Sequence, residues 1–297
     1  MTLGLWHHTR LLAATALRSR SLRSAWLLHR DRPGVAEIRV PGLPGHFRFR
    51  TGTSDARLMR VLVERGLPPE YELPAHFEPR IILDIGANIG TVTAALARRY
   101  PQARIFAFEP LPENFVLLKY NTAALANVFA LPFGLGAHTQ RRPYTRSDDP
   151  RNFGGGGFHG ERRTPLRRLE VLPVVSVAEA LAALGIQAVD LIKIDTEGAE
   201  HEILTSFPRS VLATVKVIVG ELHGKPGDDA LLRFLTQSFT LTRTLRHGCT
   251  RCFQACCPAL PPETETRVLP PLVADSREPT AVPALGPSID RAQKDCL

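Results

Sequence analysis

The sequence predicts an α/β fold with a mostly parallel sheet covered by helices on both faces. Two observations carry this expectation. From residue 80 onward, short apolar runs of strand length alternate with helix-like stretches at short spacing. The first run ends in a glycine-rich turn that opens a helix, Asp84-Ile85-Gly86-Ala87-Asn88-Ile89-Gly90.

Residues 1–34 read as a basic amphipathic helical segment. Residues 1–30 contain no Asp or Glu, carry Arg10, Arg18, Arg20, Arg23 and Arg30, and space Leu11, Leu12, Leu17, Leu22 and Leu27 as an imperfect apolar stripe. Such a segment suits a helix packed on the domain, a membrane-surface contact, or an organelle-targeting segment. Residues 35–257 are the expected domain. It opens with strands at Val35–Val40 and Phe47–Arg50 and a helix over 55–66, started by Ser54 or Asp55 and stopped near Gly66. The repeating part follows: strand Ile81–Ile85, helix 89–99, strand Ile105–Phe108, helix 112–125 with Pro112 near its start, and strand Val128–Phe133. An insert over 137–170 carries Arg141, Arg142, Arg146, Arg151, Arg162, Arg163, Arg167 and Arg168 and the run Gly154–Gly157. Its place between the third and fourth strands puts it on the ligand side of an open sheet. Then come helix Val177–Leu184, strand Val189–Ile194, helix Glu197–Leu204, strand Val215–Val219, helix Asp228–Leu235 and a late strand Phe239–Leu245. The Pro-rich tail 258–297 has little apolar periodicity and reads as disordered.

With 297 residues and 44% hydrophobic content, the chain can bury one large core, and no run approaches the roughly 20 apolar residues that span a bilayer. The net charge of +8 comes mostly from arginine and allows anionic partners. The five cysteines, Cys249, Cys252, Cys256, Cys257 and Cys296, are odd in number and clustered near the end, which argues against a disulfide framework and for a reducing, cytoplasmic setting. A zinc site from Cys249, Cys252, Cys256 and Cys257 is disfavoured by their compact spacing.

Chemistry concentrates at the strand ends. In the first turn, Gly86, Ala87, Asn88 and Gly90 let the backbone bend sharply and offer free N–H groups at the start of a helix. Asp84 ends the strand before it, and Asn88 replaces the middle glycine of a nicotinamide-type G-x-G-x-x-G loop. In Phe108-Glu109-Pro110, a strand-end acid lies roughly 20 residues beyond the turn, where it can accept hydrogen bonds from the ribose hydroxyls of an adenosine cofactor. A third motif, Asp190-Leu-Ile-Lys-Ile-Asp195-Thr-Glu197-Gly-Ala-Glu200, ends a buried strand in Asp195 and brings Glu197 and Glu200 to a helix start, where carboxylates also cap. A fourth, Glu221-Leu222-His223, ends the next strand on the same rim. Asp195, Glu197, Glu221 and His223 together can hold an acceptor hydroxyl and remove its proton, or bind a divalent cation; Asp195 or His223 is the expected base, and Glu197 and Glu221 position the acceptor or ligate a metal.

These four motifs, with Asn152-Phe153-Gly154-Gly155 before the fourth strand, resemble the FkbM family of methyltransferases over roughly residues 45–245. The resemblance implies a Rossmann-like methyltransferase fold with a seven-stranded sheet, S-adenosyl-L-methionine as donor, and a hydroxyl acceptor on a sugar, glycan or natural product. It makes Asp84, Gly86, Ala87, Asn88, Gly90, Glu109, Pro110 and Asp195 the cofactor-side residues. Asp195, His223, Glu197 and Glu221 then form the catalytic side. Val175-Ser176-Val177-Ala178 departs from the family's Thr-Leu-Asp-like segment. The arginine-rich insert points to an anionic acceptor. Nucleic-acid or other N-methylation and non-catalytic cofactor binding are the alternatives, and nucleic acid is not an expected partner. The Asn/Asp-Pro-Pro-aromatic turn of amino-directed enzymes is replaced here by Asp195-Thr-Glu-Gly.

Overall fold

The computed structural model describes residues 12–147, 149–158, 169–224, 227–247 and 250–260, with the side chains of 169, 243–247 and 250 outside the description. Arg10, Leu11, Arg162, Arg163, Arg167, Arg168, Cys249, Cys296 and the tail from residue 261 lie outside the described residues. Two short helices come first, α1 over 12–19 and α2 over Leu22–Leu28. Ser21 caps α2 by accepting from the Ser24 N–H, and Leu27 and Leu28 are buried. Leu17, Leu22 and Trp26 face outward. A hairpin of β1 (Gly34–Ile38) and β2 (Phe47–Thr51) follows, then α3 (Ser54–Glu64). The cap of α3 is Thr53, one residue before the expected start, because its hydroxyl reaches the Asp55 N–H while Asp55 is turned inward to Arg50. A single 3₁₀ turn, Pro69–Tyr71, leads to the main sheet.

That sheet is built from β3 (Ile81–Ile85), β4 (Arg104–Phe108), β5 (Val128–Leu131), β9 (Leu191–Ile194), β10 (Val217–Leu222), β11 (Thr240–His247) and β12 (Thr250–Cys256), in the order β11-β12-β10-β9-β3-β4-β5. Its pairs from β5 to β10 are all parallel, and β12 runs antiparallel to both β10 and β11. Successive residues face opposite sides, as a strand's two-residue period requires. Ile82, Ile105, Leu191 and Val217 belong to one core with α3 and α4 (Thr91–Arg99). Leu83, Phe106, Ile192 and Ile218 belong to the other, with α6 (Val177–Ala183), α7 (Glu200–Thr205), α8 (Arg209–Leu212) and α9 (Gly227–Leu235). Helix α5 (Pro112–Thr122) packs between β5, β2 and α4. The expected seven-stranded, mostly parallel α/β sheet is the one observed.

Three departures matter. Cys252, Phe253 and Cys256, outside every expected strand, lie in β12, and all three are buried. The insert is not one loop: Gln140–Thr145 forms β7, which pairs antiparallel with β8 (Leu169–Ser176), and β6 (Gly134–Gly136) completes a second small sheet. Helix α7 starts at Glu200 rather than Glu197, because Glu197 and Gly198 adopt φ of +58° and +115° and cannot continue a right-handed turn.

From β3 the chain moves outward one way through β4 and β5, then returns to the other side of β3 with β9 and β10. The crevice beyond the carboxyl ends of β3 and β9 is therefore a topological switch point, where open α/β sheets bind ligands. Gly86, just past β3, has φ +81°, and a Cβ there would sit 1.9 Å from the Asp195 carbonyl oxygen. The Gly86→Ala chain is expected to lose about 3 kcal/mol or more in urea unfolding, from a left-handed backbone and a backbone clash together. Gly185→Ala, at φ +65° with open space around it, loses about 1–2 kcal/mol.

Candidate active site

A cleft of about 540 Å³ opens at this switch point, in the size range of small-molecule and cofactor sites. Its first end is made by the β3 turn and the end of β4. Asn88 takes a left-handed turn, φ +51°, that aims its N–H at Glu109 Oε2, 2.8 Å away, while the Leu111 N–H donates to Glu109 Oε1 at 2.9 Å. The glycine bend and the β4 carboxylate are thus joined directly. Burial pushes the Glu109 carboxyl up to about 7, against the pull of these two N–H donors and of Lys193.

Gly86, Ala87, Asn88, Glu109 and Pro110 line this end. Two residues expected among the cofactor contacts stand elsewhere. Asp84 is fully buried behind the bend, accepting from Thr93 Oγ1 at 2.6 Å and paired with Lys193 Nζ at 3.2 Å. Gly90 serves helix packing, since a Cβ there would meet Leu118 Cδ1 at 2.8 Å. Both act on the shape of the bend.

The other end gathers the ends of β9 and β10. Asp195, Glu197, Glu221 and His223 all line the cleft there, as does Tyr71 from the 3₁₀ turn. Tyr71 donates to Glu221 Oε1 at 2.7 Å and approaches Asp195 Oδ2 at 3.2 Å. Burial, then the charges of Asp195 and Glu221, hold its phenol protonated well above the usual range. His223 Nε2 lies 3.3 Å from Asp195 Oδ1 and 3.4 Å from Glu200 Oε1, and Nδ1 lies 3.3 Å from Glu197 Oε2. Burial would discharge the imidazole, but Asp195 and Glu200 outweigh it and push His223 up to about 11. Burial would likewise raise Asp195, yet His223 and Lys193 hold its carboxyl below the ordinary range. Burial first, and the Asp195 charge second, raise Glu221. Burial raises Glu197 to about 7. Glu200 caps its own loop, accepting from the Thr196 and Gly198 N–H groups.

Tyr71 and Lys193 carry more of this site than their sequence context announced. Lys193 was visible as the one charged residue of the buried strand Leu191–Ile194, which demands a partner. Tyr71 sits in a proline-rich stretch with no periodic signal. The insert forms the roof: Asn152, Phe153, Gly154, Gly156 and Phe158 line the cleft. Arg50 fixes it, pairing with Asp55 at 2.5 Å, donating to Asn114 Oδ1 at 2.7 Å and lying 3.7 Å from the Phe153 ring centroid.

The residues at the Glu109 end fit an adenosine cofactor. Each Glu109 oxygen keeps a lone pair beyond its backbone bond, and Asn88 Oδ1, also in the cleft wall, is buried with no hydrogen-bond partner. Fold and cleft together are those of a methyltransferase that takes its methyl group from S-adenosylmethionine. The sequence model of the Methyltransferase FkbM domain matches residues 84–246, and the chain belongs to that family. Among curated relatives, the AMB antimetabolite synthetase AmbE of Pseudomonas aeruginosa is 31% identical over 49% of this chain, which spans only 8% of that much longer protein. The hexuronic acid methyltransferase AglP of Haloferax volcanii is 24% identical over 69% of this chain and 77% of its own length. The 31-O-demethyl-FK506 methyltransferase FkbM of Streptomyces tacrolimicus is 25% identical over 50% of this chain and 66% of its own.

The Glu109 environment makes a pH prediction. A carboxyl held near 7 when folded and near its ordinary 4.5 when unfolded binds its proton more tightly in the native chain. Its stabilising contribution is full below about pH 4.5 and is lost as pH rises through about 7, a change of about 3 kcal/mol. Glu197 and Glu221 add to the same decline in the wild type, so the readout is a difference. Urea unfolding of Glu109→Gln across this window is expected to fall less steeply than wild type by that amount.

Proposed function

We propose that this protein transfers the methyl group of S-adenosylmethionine to a hydroxyl of a sugar, glycan or natural product. The observation that carries the reading is that one cleft has a buried strand-end carboxylate, Glu109, at one end and the Tyr71-bridged pair Asp195–Glu221 at the other. Glu109 and Asn88 hold the adenosine part, Gly86, Ala87 and Pro110 shape its bed, and Asp195 faces both the methionyl arm and the acceptor. Displacement at a sulfonium needs acceptor oxygen, methyl and sulfur in line, so positioning supplies much of the rate. Glu221 is the general base. Its raised carboxyl matches proton removal near neutral pH, and Tyr71 orients it. His223, held protonated by the carboxylates around it, keeps Asp195 and Glu197 in place rather than taking the proton itself.

Relatives whose names specify a hexuronic acid and a demethylated oxygen support an oxygen acceptor. An anionic acceptor suits Arg57, the arginine that lines the cleft among the described residues. The insert arginines described are engaged elsewhere: Arg142 pairs with Glu202, Arg146 with Glu113 and Glu170, and Arg141 donates to the Val171 carbonyl. Membrane-surface contact suits the outward Leu17, Leu22 and Trp26 beside Arg20 and Arg23. The free thiol of Cys252 suits the reducing cytoplasm. No helix among the described residues is long and apolar enough to cross a membrane.

A donor-consumption assay over sugar and polyketide-like alcohols identifies the acceptor. With it in hand, Glu221→Gln is expected to lower kcat by about 10²–10⁴-fold while leaving the affinity for S-adenosylhomocysteine nearly unchanged. Full turnover in that variant would remove Glu221 from the chemistry.

A further inference from the structure

The acceptor end holds more negative charge than its own cations balance. Asp195, Glu197, Glu200 and Glu221 meet His223 and Lys193, and Lys193 is already committed to Asp84 and to the Gly86 carbonyl at 2.8 Å. Within this group one atom each of Asp195, Glu197 and His223 lies within 4.8 Å of the others. That spacing suits ligands sharing one ion at about 2.0–2.6 Å.

An acidic cluster alone says little, but two atoms here are specifically unmet. The His223 side chain is only 9% exposed, and its Nε2 is buried with no hydrogen-bond partner. Asp195 Oδ1, 3.3 Å away, is buried and equally without one. The two atoms form an ion pair at 3.3 Å that makes no hydrogen bond, so the hydrogen-bonding capacity of each is left unused. Unpartnered buried polar atoms are costly, and their persistence calls for an occupant. The neighbouring carboxylates are otherwise employed: Glu200 is held by backbone N–H groups and Glu221 by Tyr71. Glu197 reaches His223 from a left-handed backbone, φ +58°, that a non-glycine residue keeps only when its surroundings compel it.

We propose that Asp195, Glu197 and His223 bind a divalent cation of the Mn²⁺ or Mg²⁺ class beside Glu221, at the acceptor end of the cleft. The donor set of two carboxylates and one imidazole is hard to borderline and has no thiolate. Cys252 lines the same cleft but does not belong to the group of ligand atoms that lie within 4.8 Å of one another. Three protein ligands leave coordination positions open to water or to the acceptor oxygen. A cation there favours the deprotonated acceptor, whose proton passes to Glu221, and it neutralises charge that would repel an anionic acceptor. Binding exchanges the imidazolium proton for metal and releases it to solvent.

This proposal rests on reading the cleft as a methyltransferase site, and the test separates the two. The full-length protein is stripped with EDTA, then titrated with Mn²⁺ while the free aquo-ion signal is followed by electron paramagnetic resonance, with and without S-adenosylhomocysteine. S-adenosylhomocysteine binding to the stripped protein is measured separately by calorimetry. One Mn²⁺ bound per chain, displaced by excess Mg²⁺, is expected. Affinity should fall at least about tenfold in both Asp195→Asn and His223→Gln, and stay unchanged in Glu179→Gln on α6. Circular dichroism checks that each variant is folded, and the wild-type titration decides the matter even where one is not. No Mn²⁺ uptake at millimolar concentration, with S-adenosylhomocysteine still bound, overturns the metal site and leaves the methyltransferase reading intact. Uptake that survives both ligand substitutions overturns this ligand set.

Discussion

The ion pair between Lys193 and Asp84 is the constraint on which the site depends. Parallel register sets these residues directly opposite each other on β9 and β3, on the same face of the sheet and fully out of water. Burying either charge alone would cost several kcal/mol, so each requires the other. The pair is completed on both sides: Thr93 donates to Asp84, and Lys193 donates to the Gly86 carbonyl. One ammonium group therefore ties the two strands flanking the switch point to the turn that must bend around the ligand. Tyr71 covers it, with Lys193 Nζ 5.5 Å from the ring centroid, and sends its hydroxyl on to Glu221. Bend, strand ends and proton-accepting group are linked through a single buried cation.

From this hub the cleft divides into two electrostatic halves. At the β4 end, each Glu109 oxygen accepts one backbone N–H and keeps a lone pair facing the cleft, which suits a ligand that arrives with hydroxyl donors. At the β9–β10 end, carboxylates outnumber cations and keep His223 charged. A sulfonium donor is itself cationic, so its methionyl arm gains by pointing toward that half. The roof from the insert, held by Arg50 against Phe153 and Asn114, closes the space above both.

The parallel core was legible because Ile81–Ile85, Arg104–Phe108 and Leu191–Ile194 are short runs made mostly of apolar residues, with Asp84, Arg104 and Lys193 as their one charge each. Strand β12 was not, since Arg251, Cys252 and Gln254 resemble loop chemistry until β10 and β11 are seen to flank them. Strand β7 hid in the same way behind Arg141 and Arg142, of which Arg142 turns out to be paired with Glu202. The helix start at Glu197 was misplaced because carboxylates cap helices as readily as they line sites. Only the backbone angle at Glu197 distinguishes the two.

By itself, the sequence determined the fold class, the glycine turn and the strand-end acids Glu109, Asp195 and Glu221, because periodicity and local turn chemistry are short-range properties written in consecutive residues. Tertiary structure alone decided which acids are free and which are spent. Asp84 went to Lys193, Glu200 to its own loop, and Asp195 with His223 to the open cleft. Charge and hydrogen-bond partnership in a buried site depend on distances between residues far apart in the chain, and those distances exist only once the sheet has formed.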